Sequence, residues 1–147
     1  MQLTRKLMIS SFVLGLMLLV APSAHAQITP NVQIHATIDH AFIVGNDTLP
    51  AGEYVFQMMH DSQLQVMTVR NTQNDMEAEF LVRRSEDSHV PKHTELIFNK
   101  YGSKEFLLHI YDRGNQYGVT VLEPSREEAR LQAQGQNPTP ATEAQQD

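Results

Sequence analysis

Residues 94–112, TELIFNKYGSKEFLLHIYD, contain the clearest β-hairpin of the chain. Two apolar runs flank the connection Tyr101-Gly102-Ser103, and a glycine in such a connection can adopt the positive φ angle of a tight turn. The second run, Phe106–Tyr111, is apolar on both faces. Because a strand with two apolar faces is buried on both sides, we expect this run to lie near the middle of a sheet.

Apolar and polar side chains alternate with a period of two in further runs on both sides of this hairpin. These runs are residues 32–38, 40–44, 53–60, 64–70, 76–83 and 116–122. No long amphipathic helix pattern separates them, which argues against parallel βαβ units. We therefore predict an all-β fold, in which residues 27–123 form one small antiparallel β-sandwich or partly open barrel of about seven or eight strands.

The C-terminal part of the chain has a different character. Ser125 precedes Arg126-Glu127-Glu128, and a serine followed three residues later by a glutamate is a typical helix start. We predict a short helical segment over residues 124–134. Residues 135–147 contain two prolines and almost no large apolar side chain, so we predict a disordered tail.

The first 26 residues have the pattern of a secretory signal peptide. Arg5 and Lys6 precede an apolar run that ends at Val20, and Ala24 and Ala26 supply the small residues at the cleavage site. An uncleaved N-terminal anchor is the alternative, but the apolar run is short for a membrane span. We expect cleavage after Ala26 and a secreted or periplasmic protein with no membrane span after signal removal.

Composition excludes several classes of function. The formal net charge of the 147-residue chain is −6 and becomes −8 without Arg5 and Lys6, so nucleic acid is not an expected partner. Cysteine is absent, which excludes disulfides, thiolate catalysis and cysteine-based metal sites. There is no Gly-x-Ser-x-Gly nucleophile motif either. We predict no enzymatic activity, no catalytic residue and no cofactor.

Histidine is the residue type that most invites a metal hypothesis, because imidazole is a common ligand of zinc and copper. The candidates are His35, His40, His89 and His93. Their spacing does not predict a local site: Pro91 interrupts the pair His89 and His93, and His35 and His40 would face opposite sides of one strand. Surface histidines are the favoured interpretation, and a site assembled by tertiary contacts is the alternative.

Three segments of the chain together resemble a known type of protein. They are residues 42–56, FIVGNDTLPAGEYVF, residues 96–107, LIFNKYGSKEFL, and residues 124–128, PSREE. In combination they are similar to a family of small secreted bacterial β-rich proteins of unknown function, and the resemblance spans roughly residues 32–130. It implies a secreted β domain, and it assigns no role to any residue.

The leading functional hypothesis is a non-enzymatic, secreted or periplasmic β domain with a binding or envelope-associated structural role. Its partner would be another protein or a small apolar ligand. One alternative is an extracytoplasmic metal-binding protein or metal-dependent enzyme that uses histidines. The other is an adaptor subunit of an envelope complex, tethered by residues 126–130 and the tail.

Overall fold

A computed structural model describes residues 33–59 and 65–145. The predicted signal peptide, with Ala24 and Ala26, lies outside the described residues. The described elements are β1 (Gln33–Ile38), β2 (Phe42–Val44), β3 (Asp47–Leu49), β4 (Gly52–Met59), β5 (Val66–Asn71), β6 (Glu77–Glu86), β7 (Glu95–Tyr101), β8 (Lys104–Tyr111), β9 (Tyr117–Val121), α1 (Arg126–Ala133) and β10 (Thr139–Ala144). The predicted all-β class with one short helix is confirmed.

The strands form one mixed sheet that is not closed. Its order is β1-β4-β5-β6-β9-β8-β2-β3, and β7 pairs with both β8 and β10. The prediction of a wholly antiparallel sheet needs one correction, because β2 runs parallel to β8 with Ile43 opposite Phe106. The described residues contain ten strands rather than seven or eight, since β3 and β10 were not predicted.

Strand β6 changes partners along its length and thereby divides the sheet into two halves. Residues 77–81 pair with β5, and residues 82–86 pair with β9. The two halves enclose one core. Its largest fully buried side chains include Ile38, Phe42, Leu49, Tyr54, Phe56, Val69, Leu96, Phe98 and Ile110.

The hairpin of β7 and β8 lies in the interior of the sheet, as predicted. Strand β8 pairs with β7 on one side, and with β9 and β2 on the other. The register shifts where Ile97 faces His109 and Phe98 faces Leu107, which leaves Leu108 as a bulge. The bulge allows Leu107 and Ile110 to share the main core, although their spacing would place them on opposite faces of a regular strand.

Helix α1 covers the outer side of the hairpin, and its predicted start is confirmed. The Ser125 hydroxyl accepts a hydrogen bond from the Glu128 amide at 3.0 Å, as an N-cap does. Leu131 packs against a second cluster of Ile43, Tyr101 and Phe106. This explains the second apolar face of β8. Among the described residues, no helix has the length and apolar character needed to cross a membrane.

The prediction of disorder over residues 135–147 is wrong for residues 139–144, which form β10. This strand pairs antiparallel with β7, from Thr139 opposite Lys100 to Ala144 opposite Glu95. Ala141 packs against the core. The prediction failed because it counted large apolar side chains, whereas β10 is held mainly by backbone hydrogen bonds to a strand that has a free edge. Pro140 is compatible with this edge position.

Removal of β10 should destabilise the domain. Truncation after Asn137 leaves the outer edge of β7 unpaired and removes the core contact of Ala141. We expect the free energy of unfolding to fall by about 1–3 kcal/mol, measured by urea denaturation. Truncation after Gln145 is the control and should have little effect. Equal stability of the two truncated chains would contradict the structural role of β10.

A side chain at position 118 should also be costly. A Cβ atom on Gly118 would overlap the carbonyl oxygen of Ile110 and the ring of Tyr111. We expect Gly118→Ala to destabilise the protein by about 1–3 kcal/mol. The control is Gly114→Asn, because Gly114 has open space around it and a φ of 76°, which asparagine tolerates. Thermal melting of both variants measures the difference, and a smaller loss for Gly118→Ala would contradict the steric argument.

Candidate functional site

A cluster of one imidazole and two carboxylates forms where β10 meets the link between β1 and β2. The Nδ1 atom of His40 lies 3.0 Å from Oδ1 of Asp39 and 2.9 Å from Oε1 of Glu143. The potential ligand atoms of these three residues all lie within 4.8 Å of one another. Glu143 reaches the cluster only because β10 is ordered along β7. We call Asp39, His40 and Glu143 the His40 cluster.

The other side of the His40 ring faces an ion pair in which the carboxylate is buried and the ammonium is exposed. Nε2 of His40 is 2.8 Å from Oε2 of Glu105, and Oε1 of Glu105 is 2.6 Å from Nζ of Lys100. Nε2 is buried, and its contact with Glu105 lacks the angles of a hydrogen bond. The edge of the imidazole packs against Phe98 at a centroid distance of 5.3 Å. The ring is therefore fixed by an apolar neighbour and by charged groups on both sides.

The two carboxyl groups of the His40 cluster are in different environments. The hydrogen bond with His40 lowers the pKa of the Asp39 carboxyl, whose side chain is almost fully exposed. Burial raises the pKa of Glu143, and His40 opposes that rise. An open pocket of about 450 Å³ adjoins the cluster and is lined by Thr37, Asp39, Glu143, Ala144 and Gln145. The cluster can therefore offer one nitrogen and two carboxylates to a cation from solvent.

The structure does not bring the four candidate histidines together. His35 is exposed on β1, opposite Val55 of β4. His89 is exposed and contacts Asp87, with 2.9 Å between Nδ1 and Oδ1, and His93 is exposed as well. Within residues 33–59 and 65–145, the only group of three or more metal-ligating side chains is the His40 cluster. Glu143 was missed because it lies in the segment that was predicted to be disordered.

An apolar groove opens between the two halves of the sheet. It has a volume of about 380 Å³. Its apolar wall is formed by Ile34, Met58, Met67, Ile110 and Val119, and its polar rim by Gln65, Arg84, Asp112, Asn115 and Tyr117. The first three apolar residues come from β1, β4 and β5, and the others from β8 and β9. The groove lies between strands of a sheet that is not closed.

One cation is positioned at the rim of the groove. The guanidinium of Arg84 lies 4.7 Å from the centre of the Tyr117 ring, which is a cation–π distance. Across the rim, the Asp112 carboxylate accepts hydrogen bonds from the Thr94 hydroxyl at 3.1 Å and from the Arg113 amide at 2.9 Å. Asp112 is thus engaged by its own loop, whereas Arg84 is exposed and its side chain makes no hydrogen bond or ion pair with another residue that the structure describes.

A third polar feature has a structural explanation. Glu128 is buried below helix α1, where its Oε1 accepts hydrogen bonds from Asn99 at 2.8 Å and from the Tyr101 hydroxyl at 3.5 Å. Burial raises the pKa of Glu128, although these two hydrogen bonds oppose the rise. The Glu128 side chain joins helix α1 to β7 through these hydrogen bonds. Because it is buried, it offers no exposed surface to a ligand.

The raised pKa of Glu128 predicts how the stability of the protein depends on pH. In the unfolded chain this carboxyl ionises at its usual pKa, whereas in the folded protein its pKa is raised. The folded protein therefore loses stability as the pH rises from below the usual pKa to above the raised pKa. We expect Glu128→Gln to gain stability relative to wild type between about pH 4 and about pH 7. Urea denaturation at both pH values measures this. The exposed Glu123→Gln is the control, and an equal pH response of both variants would contradict the assignment.

Comparison with known proteins gives no relative: no protein-family model, no curated protein and no solved structure matches the chain.

Proposed function

We propose that this protein is a secreted, non-enzymatic β domain that binds a small elongated apolar molecule with one anionic end. The single observation that carries the proposal is the open apolar groove with Arg84 at its rim. Secretion rests on the predicted signal peptide, which ends at Ala26.

The size and lining of the groove support a small apolar ligand. Ligand pockets have volumes of about 300–1,000 Å³ and are lined mainly by apolar side chains with a few polar groups. The groove, at about 380 Å³, is at the small end of this range. Met58 and Met67 face each other across the paired strands β4 and β5, and their unbranched side chains can adapt to ligands of different shape.

Charge at the rim favours an anionic end group over a neutral or cationic one. The guanidinium carbon of Arg84 lies over the Tyr117 ring, and the five N–H donors of a guanidinium can form paired hydrogen bonds to a carboxylate. The chain as a whole carries a net charge of −6, which disfavours adsorption to an anionic membrane surface. These two charges together favour a single amphipathic molecule over a lipid bilayer as the ligand.

The residues that line the groove also favour binding over catalysis. The described lining includes neither a histidine nor a serine, which are the usual base and nucleophile of hydrolytic sites. The one close histidine–hydroxyl pair on these strands, His109 Nδ1 and Thr120 Oγ1 at 2.7 Å, is a cross-strand contact of β8 and β9 that does not line the groove.

Binding of dodecanoate tests the proposal, with dodecanol and dodecyltrimethylammonium as the neutral and cationic comparisons. Displacement of a fluorescent fatty-acid probe should show that dodecanoate binds most tightly of the three. We expect Arg84→Glu to weaken dodecanoate binding by about 5- to 10-fold, because an exposed ion pair contributes about 1 kcal/mol. The control is Arg83→Glu, which changes the preceding residue on the same strand, on its opposite face.

A second pair of variants tests the apolar wall. Met58→Glu places a charge in the groove, whereas Met76→Glu changes an exposed methionine that does not line it. We expect the first variant to lose dodecanoate binding and the second to keep it, with circular dichroism to confirm that both are folded. Equal affinities of the two variants, or no displacement by dodecanoate in the wild-type protein, would refute the proposed function.

A further inference from the structure

We propose that the His40 cluster is a zinc site, in which Nδ1 of His40 and the carboxylates of Asp39 and Glu143 bind one Zn²⁺ ion. The inference is independent of the groove and of the ligand proposed for it.

The distances in the cluster are close to those of a tetrahedral site. Bonds of about 2.0–2.1 Å to nitrogen and oxygen place neighbouring ligand atoms about 3.3 Å apart in a tetrahedron. Nδ1 of His40 lies 2.9 Å and 3.0 Å from the two carboxylate oxygens. A small outward movement of the exposed Asp39 side chain therefore makes room for the ion, and the adjoining pocket leaves the fourth position to water.

The opposite side of the imidazole faces a carboxylate, as it does in many metal-binding histidines. Histidines that bind metals almost always direct their second ring nitrogen to a carboxylate, carbonyl or water. Nε2 of His40 is buried and lies 2.8 Å from Glu105, whose side chain is only 10% exposed and is held by Lys100. With Glu105 at this position, Nε2 can carry the ring hydrogen when Nδ1 binds a cation.

Nδ1 of His40 needs either a hydrogen or a cation between it and the two carboxylates. Without an ion, Nδ1 can donate a hydrogen bond to Asp39 at 3.0 Å. A bare Nδ1 would be repelled by both carboxylates, because they are hydrogen-bond acceptors. A proton on Nδ1 or a metal ion between the three ligands removes the repulsion. The charges are compatible with a divalent ion: within the described part of the chain, Lys100 is the one ammonium paired with the three carboxylates around His40, which leaves two negative charges for the ion to balance.

The ligand set selects the metal by class. Calcium and magnesium prefer sites made of oxygen atoms alone, whereas imidazole together with carboxylates suits zinc and other first-row divalent ions. Zinc is favoured over copper(II) here because the described ligands can surround an ion tetrahedrally, and copper(II) prefers a square-planar arrangement.

Binding would also have a mechanical effect on the fold. Asp39 and His40 follow β1, whereas Glu143 lies on the edge strand β10, so an ion held by all three joins the C-terminal strand to the N-terminal part of the sheet. A ligand that binds only the ordered state stabilises that state. Zinc should therefore slow amide hydrogen exchange in residues 139–144.

Isothermal titration of the chelator-treated protein with zinc chloride is the first experiment. We expect one zinc ion per chain, a higher melting temperature, and slower hydrogen exchange in β10. Asp39→Asn and Glu143→Gln should each weaken binding by at least about tenfold. Asp39 is exposed and outside the core, so its variant is expected to fold. His89→Gln is the matched control, because His89 also contacts an aspartate but lies outside the cluster.

Glu105→Gln tests the positioning role of the ion pair behind the ring. We expect zinc affinity to fall about 10- to 100-fold, with the visible spectrum of the cobalt(II)-substituted protein still showing a bound ion. Three results would overturn the proposal: no zinc binding at millimolar concentration, wild-type affinity in the double variant D39N/E143Q, or ¹⁵N chemical shifts of a doubly protonated His40 ring that do not change when zinc is added.

Discussion

The hydrogen bonding of β8 on both sides is the constraint on which the rest of the structure depends. Strand β7 occupies one side along its whole length, and β9 and β2 share the other. Both faces are covered as well, one by the main core through Leu107 and Ile110, and one by helix α1 through Phe106. Because no polar backbone group of a buried strand can be left unpaired without cost, the positions of its four neighbouring elements are fixed together.

The groove follows from a different property of the same sheet. Strand β6 leaves β5 and joins β9 at Val82, and the sheet does not close into a barrel. The partly buried Ile34, Met58 and Val119 pack against the shared core and also line the groove. Gly118 keeps this end of β9 close to β8, because any Cβ there would strike Ile110 and Tyr111. Within β9, Val119 therefore lines the groove, while the neighbouring Gly118 packs closely against β8.

Local sequence signals predicted the elements whose stability is local. The turn at Gly102, the period-two runs and the Ser125–Glu128 cap each depend on residues a few positions apart, and the structure contains all of them. Strand β10 and the His40 cluster were beyond such reasoning. The strand forms because β7 offers an unpaired edge, and that edge exists only after the sheet has assembled. Glu143 could reach His40 only through the same long-range pairing.

The ordering of β10 and the formation of the His40 cluster consequently depend on the same contact, which is the one between Glu143 of β10 and His40. An edge strand whose one apolar contact with the core is the partly buried Ala141 gains little from the hydrophobic effect, and a short unsupported strand is marginal in water. The contacts of Glu143 with His40, and of Gln145 with the Thr37 amide at 2.7 Å, attach this strand to β1 and the segment that follows it. Any cation that neutralises the cluster strengthens the attachment at its most acidic point. Ion binding and strand order are then thermodynamically linked, since each stabilises the other by the same free energy.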